Sequence, residues 1–198
     1  MSSPDPPTLR PALGPPRYCS HCSGALARSI PAGDDRERAQ CHECATIHYE
    51  NPRLVVGCLP QAADGRILLC RRAIEPRRGY WTLPAGFLEN DESTEAGAAR
   101  ESREEACIEV AIDGLFTVFS VPHINQVHMI YRARLASPHY APGPESLEVR
   151  LAAEQDIPWS ELAFRTVERS LRLYFEDRRR GSFGVHSGIV ERPPASPT

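Results

Sequence analysis

"GFLENDESTEAGAARESREEACI", residues 86–108, closes on a crowding of carboxylates that an ordinary helix avoids. Ser93 reads as an N-cap with Glu95 in the first turn, and the pattern predicts a helix running to about Ala106. On that helix Glu101, Glu104 and Glu105 stand at i, i+3 and i+4. Like charges at this spacing repel by roughly 0.2–0.5 kcal/mol per pair. They also lie toward the C-terminal end, where the helix dipole disfavours negative charge. The other side offers Ala99, Ser102 and Ala106, small enough for close approach to a sheet. Spacing alone leaves two readings. One is a solvated face, with Arg100 reaching Glu104 at i+4. The other is a set of carboxylates gathered for a hard divalent cation such as Mg²⁺, which takes oxygens from carboxylates, water and phosphates.

Around this helix the chain reads as strands. "RLVVGCL" (53–59), "RILLCRR" (66–72) and "LFTVFSV" (115–121) are apolar and β-prone, with "ADG" at 63–65 as a hairpin turn. In "QVHMIYRARL" (126–135) Val127, Met129, Tyr131, Ala133 and Leu135 share one face, and "LEVRLAA" (147–153) is a further strand. A last helix from about Phe164 to Arg179 carries Phe164, Val167, Leu171, Tyr174 and Phe175 at helical spacing. From Gly181 the tail reads as loop. Strands before and after one mid-chain helix argue for α+β over a doubly wound sheet.

Toward the N-terminus, Cys19-x2-Cys22 and Cys41-x2-Cys44 are separated by 18 residues. That is zinc-ribbon spacing, two knuckles closing four thiolates into a tetrahedron. The polar segment between them is too weak to build a core, so structural Zn²⁺ would supply the folding energy. His21 and His42, inside the knuckles, are alternative ligands that four cysteines make unnecessary. Cys58, Cys70 and Cys107 read as buried small hydrophobes, unpaired, as in a reducing compartment. The expected domains are a disordered proline-rich tail (1–17), a zinc ribbon (18–50), a catalytic domain (51–180) and a C-terminal tail (181–198).

Composition excludes more than it identifies. A net charge of −3 does not suit a protein that wraps a polyanion, and no nucleic-acid partner is expected. All 23 basic residues are arginine, which a GC-rich coding bias explains more readily than phosphate binding does. With no apolar run near 18 residues and no apolar stretch at the start, the chain reads as soluble and cytoplasmic, without a membrane partner.

The motif Gly86, five residues, Glu92, seven residues, Arg100-Glu101-Ser102-Arg103-Glu104-Glu105-Ala106-Cys107-Ile108 resembles the signature of the Nudix hydrolases. Every charged position matches. Ser102 replaces an aliphatic residue and Cys107 replaces a glycine, which predicts slightly weaker packing and argues against a left-handed exit at the helix end. The ribbon followed by "IHYENPRLVVGC", "WTLPAGF", "HINQV", "YAPGPESLEVRL", "IPWSELAF" and "LYFEDRRRGSFGVHSGIVERPP" resembles one Nudix subgroup. It includes plant and bacterial pyrophosphatases acting on flavin adenine dinucleotide and ADP-ribose. The zinc-ribbon NADH pyrophosphatases carry a Ser-Gln-Pro-Trp-Pro-Phe-like motif that "FTVFSVPHINQV" lacks.

The resemblance implies an α/β/α sandwich with a mixed sheet, and Mg²⁺- or Mn²⁺-dependent hydrolysis of a small nucleoside diphosphate derivative. Glu104 and Glu105 would ligate the metal with the carbonyl of Ala85, and Glu101 would be a further ligand or the base. Glu92 and Arg100 resemble the pair that ties the loop to the helix. A distal carboxylate is expected at Glu148, with Glu145 second. Trp81 and Tyr80 are candidates to stack on the substrate base, against the alternative that they are core aromatics. A homodimer is implied by related enzymes. NADH or another dinucleotide is the alternative substrate, and a non-catalytic binding protein is the alternative class.

Overall fold

The computed structural model describes residues 16–192, so the N-terminal tail expected over 1–17 lies almost wholly outside the described residues. The chain divides into two units, one through Asn51 and one from Pro52. In the first, β1 (Leu26–Ser29), β2 (Arg38–Cys41) and β3 (Ile47–His48) form an antiparallel sheet in the order β1-β2-β3. Each cysteine pair turns in the same way. Ser23 N–H donates to Cys19 O at 2.9 Å and Ala45 N–H to Cys41 O at 3.1 Å, with Ser23 and Ala45 at positive φ. The buried apolar side chains of this unit are Cys19, Cys41, Ala39 and Pro31. Such a unit has almost no core apart from its sulfurs.

The second unit is built on alternation. Along β4 (Arg53–Gln61), Val56 and Cys58 pack with Ala98, whereas Leu59 packs with Leu171 and Tyr174. Adjacent side chains point to opposite faces, so each face can receive its own helix. The remaining strands are β5 (Ile67–Arg72), β6 (Trp81–Thr82), β7 (Ala85–Phe87), β8 (Val110–Val121), β9 (Gln126–Leu135), β10 (Ser146–Ala152) and β11 (His186–Ile189). The sheet runs β10-β5-β4-β9-β8-β11, with β6 on β5 and β7 on β4. β4 with β9 and β8 with β11 are parallel pairs and the others antiparallel, which makes the expected mixed sheet. β4 and β5 pair only at Gln61 and Ile67 and then part, each completed by its own short strand.

Helix α1 (Thr94–Ala106) begins at Ser93, whose hydroxyl accepts from Ala96 N–H at 3.1 Å. Helix α2 (Arg165–Arg180) buries Val167, Leu171, Tyr174 and Phe175 and ends in Arg178, Arg179 and Arg180, which suit its negative end. Each such apolar side chain contributes about 1.5–3 kcal/mol on burial. Among the described residues no helix is long and apolar enough to cross a membrane.

Several expectations change. The tail after Gly181 is not simply loop: His186–Ile189 forms β11 against β8. It is tethered by His186 Nε2 to Asp177 Oδ2 at 2.7 Å and by Phe183, which packs on Tyr174 and lies under Arg132. Burial opposes ionisation of Asp177, but His186 and Gly184 N–H hold its pKa below the usual value. Cys107 is exposed, not buried, and does take the left-handed conformation at the helix exit, with φ 52°. Its N–H bonds Arg103 O and that of Ile108 bonds Ser102 O, so the reversal is made without glycine. Ser102 is fully buried yet loses no hydrogen bond, because its hydroxyl donates to Ala98 O at 2.9 Å.

Candidate active site

Glu101, Glu104 and Glu105 of α1 do not share one solvent face. The side turned to the sheet holds Gly97, Ala98, Glu101, Ser102, Glu105 and Ala106, while Ala99 is only half-buried. Glu101 and Glu105 are therefore buried carboxylates, and Glu104 alone is outward, with its side chain 57% exposed. Glu105 Oε2 accepts the backbone N–H of Ala85 at 3.1 Å. Burial, against that hydrogen bond and with help from the charge of Glu101, pushes the Glu105 pKa up to about 8. Burial also raises that of Glu101, opposed by Arg100. Gly86 lies against Glu101 so closely that a β-carbon there would fall on the carboxylate. A larger residue at that position would displace the Glu101 carboxylate.

Arg100 organises the cluster. Nε and one Nη bind Glu92 in a fork at 3.1 and 2.8 Å, and that Nη also reaches Phe87 O at 3.1 Å. The other Nη donates to Glu101 Oε1 at 2.8 Å and Glu104 Oε2 at 2.9 Å. Every N–H of the guanidinium is used. Glu92, held by Arg100 and by Glu89 N–H, has its pKa drawn down to about 2. One cation thus fixes the loop to the helix and aims two carboxylates. Residues 141–143 close the helix end: Ala141 N–H donates to Ala106 O and Gly143 N–H to Glu105 O, both at 3.0 Å. A β-carbon on Gly143 would lie 1.7 Å from Glu104 O, so only glycine lets this loop approach.

The other expected site residues are not all brought in. Glu148 lies opposite Arg71 and, with Arg150, on the sheet face away from α1, while Val149 and Leu151 pack with Ala106. It pairs with Arg71 at 3.7 Å in solvent, which corrects its expected place beside the other carboxylates. A register shift between Ser146 and Glu148 produces this outcome. Glu145, the second choice, is exposed in the loop before β10, and its charge acts on both Glu101 and Glu105. Trp81 is a core residue, 4% exposed and covered by Arg150 at 4.2 Å, so it has no free face for a base. Tyr80 is half-buried with Arg77 over its ring. Phe87, next to Gly86, was missed. It is 46% exposed with Arg53 over one face at 4.7 Å, and an aromatic adjoining the first glycine of the motif was the available signal.

The four ribbon cysteines lie with their sulfurs within 4.8 Å of one another. Individual contacts of 3.3, 3.4 and 3.7 Å approach the ~3.8 Å edge of a tetrahedron with Zn–S near 2.3 Å. The donor set fits Zn²⁺. Neither His21 nor His42 joins the group; instead His48 Nε2 lies 3.3 Å from Cys19 Sγ. The Thr46 hydroxyl, 3.1 Å from Cys44 Sγ, helps hold the Cys44 pKa down to about 6. At the second centre, an all-oxygen set of carboxylates fits a hard divalent cation.

Comparison with known proteins agrees with both centres. Residues 51–173 match the NUDIX domain and residues 17–50 the Nudix N-terminal zinc ribbon. A NUDIX hydrolase from Nitrosomonas europaea of known crystal structure is 49% identical with a TM-score of 0.86, over 89% of this chain and 99% of that one. A MutT-like protein from Streptomyces ambofaciens is 42% identical over 71 residues, 36% of this chain and 44% of its own length. The NAD-capped RNA hydrolase NudC of Pseudomonas aeruginosa is 27% identical over 174 residues, 84% of this chain and 58% of its own. The chain thus spans about half the length of these curated relatives. Box, ribbon and sheet together place the chain in the Nudix hydrolase family.

Proposed function

We propose that the protein is a divalent-metal-dependent pyrophosphatase that cleaves the diphosphate linkage of a nucleoside diphosphate derivative. Flavin adenine dinucleotide, giving FMN and AMP, and ADP-ribose, giving AMP and ribose 5-phosphate, are the proposed substrates. The gathering of Glu101, Glu104 and Glu105 around one fully engaged Arg100 carries this reading. A binding-only domain has no use for a cluster that repels itself.

Glu104, Glu105, Glu101 and the carbonyl of Ala85 are the proposed ligands of Mg²⁺ or Mn²⁺. The cation supplies charge neutralisation on the diphosphate and a lowered pKa for the attacking water. Arg100 keeps Glu101 and Glu104 aimed, and Glu92 keeps Arg100 in place. A carboxylate must take the water proton. Glu145 is the proposed base, since it is exposed yet within electrostatic reach of the buried pair, and Glu101 is the alternative. Phe87 offers the free aromatic face on which a substrate ring can stack.

The flavin reading rests on resemblance in three stretches, and two of them have structural duties. "HINQV" is the β8–β9 turn, with Asn125 at φ 52°, and "YAPGPES" closes the end of α1. A second reading is cleavage of NADH or of an NAD-capped end, the latter favoured by relatives that bear the name NAD-capped RNA hydrolase NudC. The described part of the ribbon unit, with four arginines against five carboxylates over residues 16–50, has no net positive charge to attract a long RNA. Homodimerisation is proposed from the resemblance alone and would show as a doubled mass by light scattering.

Specificity constants for flavin adenine dinucleotide, ADP-ribose, NADH and a deoxynucleoside triphosphate, measured with Mg²⁺, test the proposal. Overlapping activities led by the first two are expected, because an apolar pocket discriminates only about 1–3 kcal/mol per small group. A lead of more than about tenfold for NADH selects the second reading. Absence of metal-dependent turnover on all four would make the protein a binding module.

A further inference from the structure

Two arginines approach the carboxylate cluster, half-buried Arg100 and buried Arg72, and only one is spent. Arg100 uses every donor. Arg72, the last residue of β5, is 9% exposed and uses one: Nε donates to Pro76 O at 2.9 Å, with the guanidinium over the Phe164 ring at 5.2 Å. Among the described residues its two Nη groups have no partner, and neither is sealed from solvent. No carboxylate among those residues forms an ion pair with it, although Glu105, Glu145 and Glu75 all act on it at longer range.

Its place in the sheet is defined. Leu68 and Cys70 pack with Ala106 of α1, and alternation puts Arg72 next along that face, beside Glu105. Ser146 is its partner across β10, so Glu145 is one residue away. β4 and β5 have parted here, leaving Arg72 on the β5 side of the opening and Ala85, bonded to Glu105, on the β4 side. A mostly buried cation whose four Nη hydrogens face only solvent is placed to receive an anion.

We infer that Arg72 is that anion's receptor: its free Nη pair binds phosphate oxygens of the substrate diphosphate that face away from the carboxylate-held cation. This rests on the pyrophosphatase reading and adds a substrate-binding residue to it. Pro76 and Phe164 fix the guanidinium plane before substrate arrives, and a planar fork suits two phosphate oxygens better than a point charge does. The rival role is mere neutralisation of Glu105. The two roles differ in sign. A cation that only neutralises supports the carboxylate arrangement, so its loss would weaken metal binding. A cation that awaits phosphate competes with the metal for the carboxylates' field, so its loss leaves metal binding equal or tighter.

Calorimetric titration of the full chain with MgCl₂ alone, and with inorganic pyrophosphate or ADP in saturating MgCl₂, separates them. Arg72→Gln is expected to weaken pyrophosphate by roughly tenfold to a hundredfold, the loss of charge-assisted hydrogen bonds, with Mg²⁺ affinity equal or higher. Arg72→Lys should recover only part of the loss, and it carries the test if the glutamine variant fails to fold. Pyrophosphate affinity within about twofold of wild type in either variant overturns the inference. So does a parallel loss of Mg²⁺ affinity. Wild-type protein that binds no pyrophosphate overturns the pyrophosphatase reading with it, whereas wild-type binding with an equally tight glutamine variant overturns this inference alone.

Discussion

The molecule holds two clusters of metal-type ligands, and they are built in opposite ways. In the ribbon unit Cys19 and Cys41 are themselves half of the buried apolar side chains among the described residues. In the larger unit, Glu101 and Glu105 are set into a helix already anchored by Ala98 and Ala106 against a sheet whose other face is filled by α2. In the first a bound ion would take the place of a core, and in the second a finished core supports the carboxylates at a cost in repulsion and desolvation. Metal removal should therefore unfold one unit and only disarm the other.

The largest effect tests that directly. Apparent zinc binding in small metal-folded domains is worth about 10–16 kcal/mol, and the ribbon has little to replace it. Chelation of zinc, or Cys41→Ser, should abolish the ordered signals of residues 18–50 and make them protease-sensitive, with the second unit still folded. Hydrogen exchange resolved by segment checks this. A ribbon that stays protected without zinc would break the contrast.

Next, Glu105→Gln should reduce turnover by at least about a hundredfold, since a ligand or proton acceptor is lost, while circular dichroism stays unchanged. Full activity in this variant would remove Glu105 from the metal site.

The contrast was partly legible in the chain itself. Cysteine spacing and the charged box are local patterns, each set by one turn type or one helix, so a linear reading recovers them. Glu148 was misplaced because facing in a strand flips with a single residue, and the irregularity before it leaves no mark in "SLEVRL". β11 was invisible for a different reason. "VHSGIV" has no strong period, and its pairing is enforced from afar by Asp177, Phe183 and the edge of β8. Trp81 stayed open between a stacking platform and a core aromatic because sequence cannot show which face of an aromatic is already covered.

A smaller effect sharpens the claim that the carboxylates strain a finished fold. With its pKa near 8 when folded and near 4.5 when unfolded, Glu105 keeps a proton in the native state that the unfolded chain has released. Stability without Mg²⁺ should therefore fall as pH rises from about 4.5 to 8, by about 2 kcal/mol once solvent relaxation is allowed for. Glu105→Gln should flatten that slope and be the more stable protein at pH 8. Urea midpoints at both ends of the range, in magnesium-free buffer with zinc retained, give the answer. A slope unchanged by the substitution would mean that the buried carboxylate is not its source.

The smallest effect sets like against like, because both units hold non-glycine residues in left-handed turns: Cys107 after α1, and Ser23 and Ala45 after the cysteine pairs. A β-carbon in this conformation costs about 1 kcal/mol. Cys107→Gly should recover it as global stability, about 2–4 °C in the melting temperature of the larger unit, while Cys107→Ala, which keeps the β-carbon, should gain nothing. Ala45→Gly relieves the same strain in a unit whose folding is inseparable from zinc. There the gain should appear as tighter zinc, by about fivefold, with little change in the melting of the larger unit. If Ala45→Gly instead raised that melting temperature as Cys107→Gly does, the two units would be sharing one cooperative core, and the opposition between an ion that builds and an ion that works would be lost.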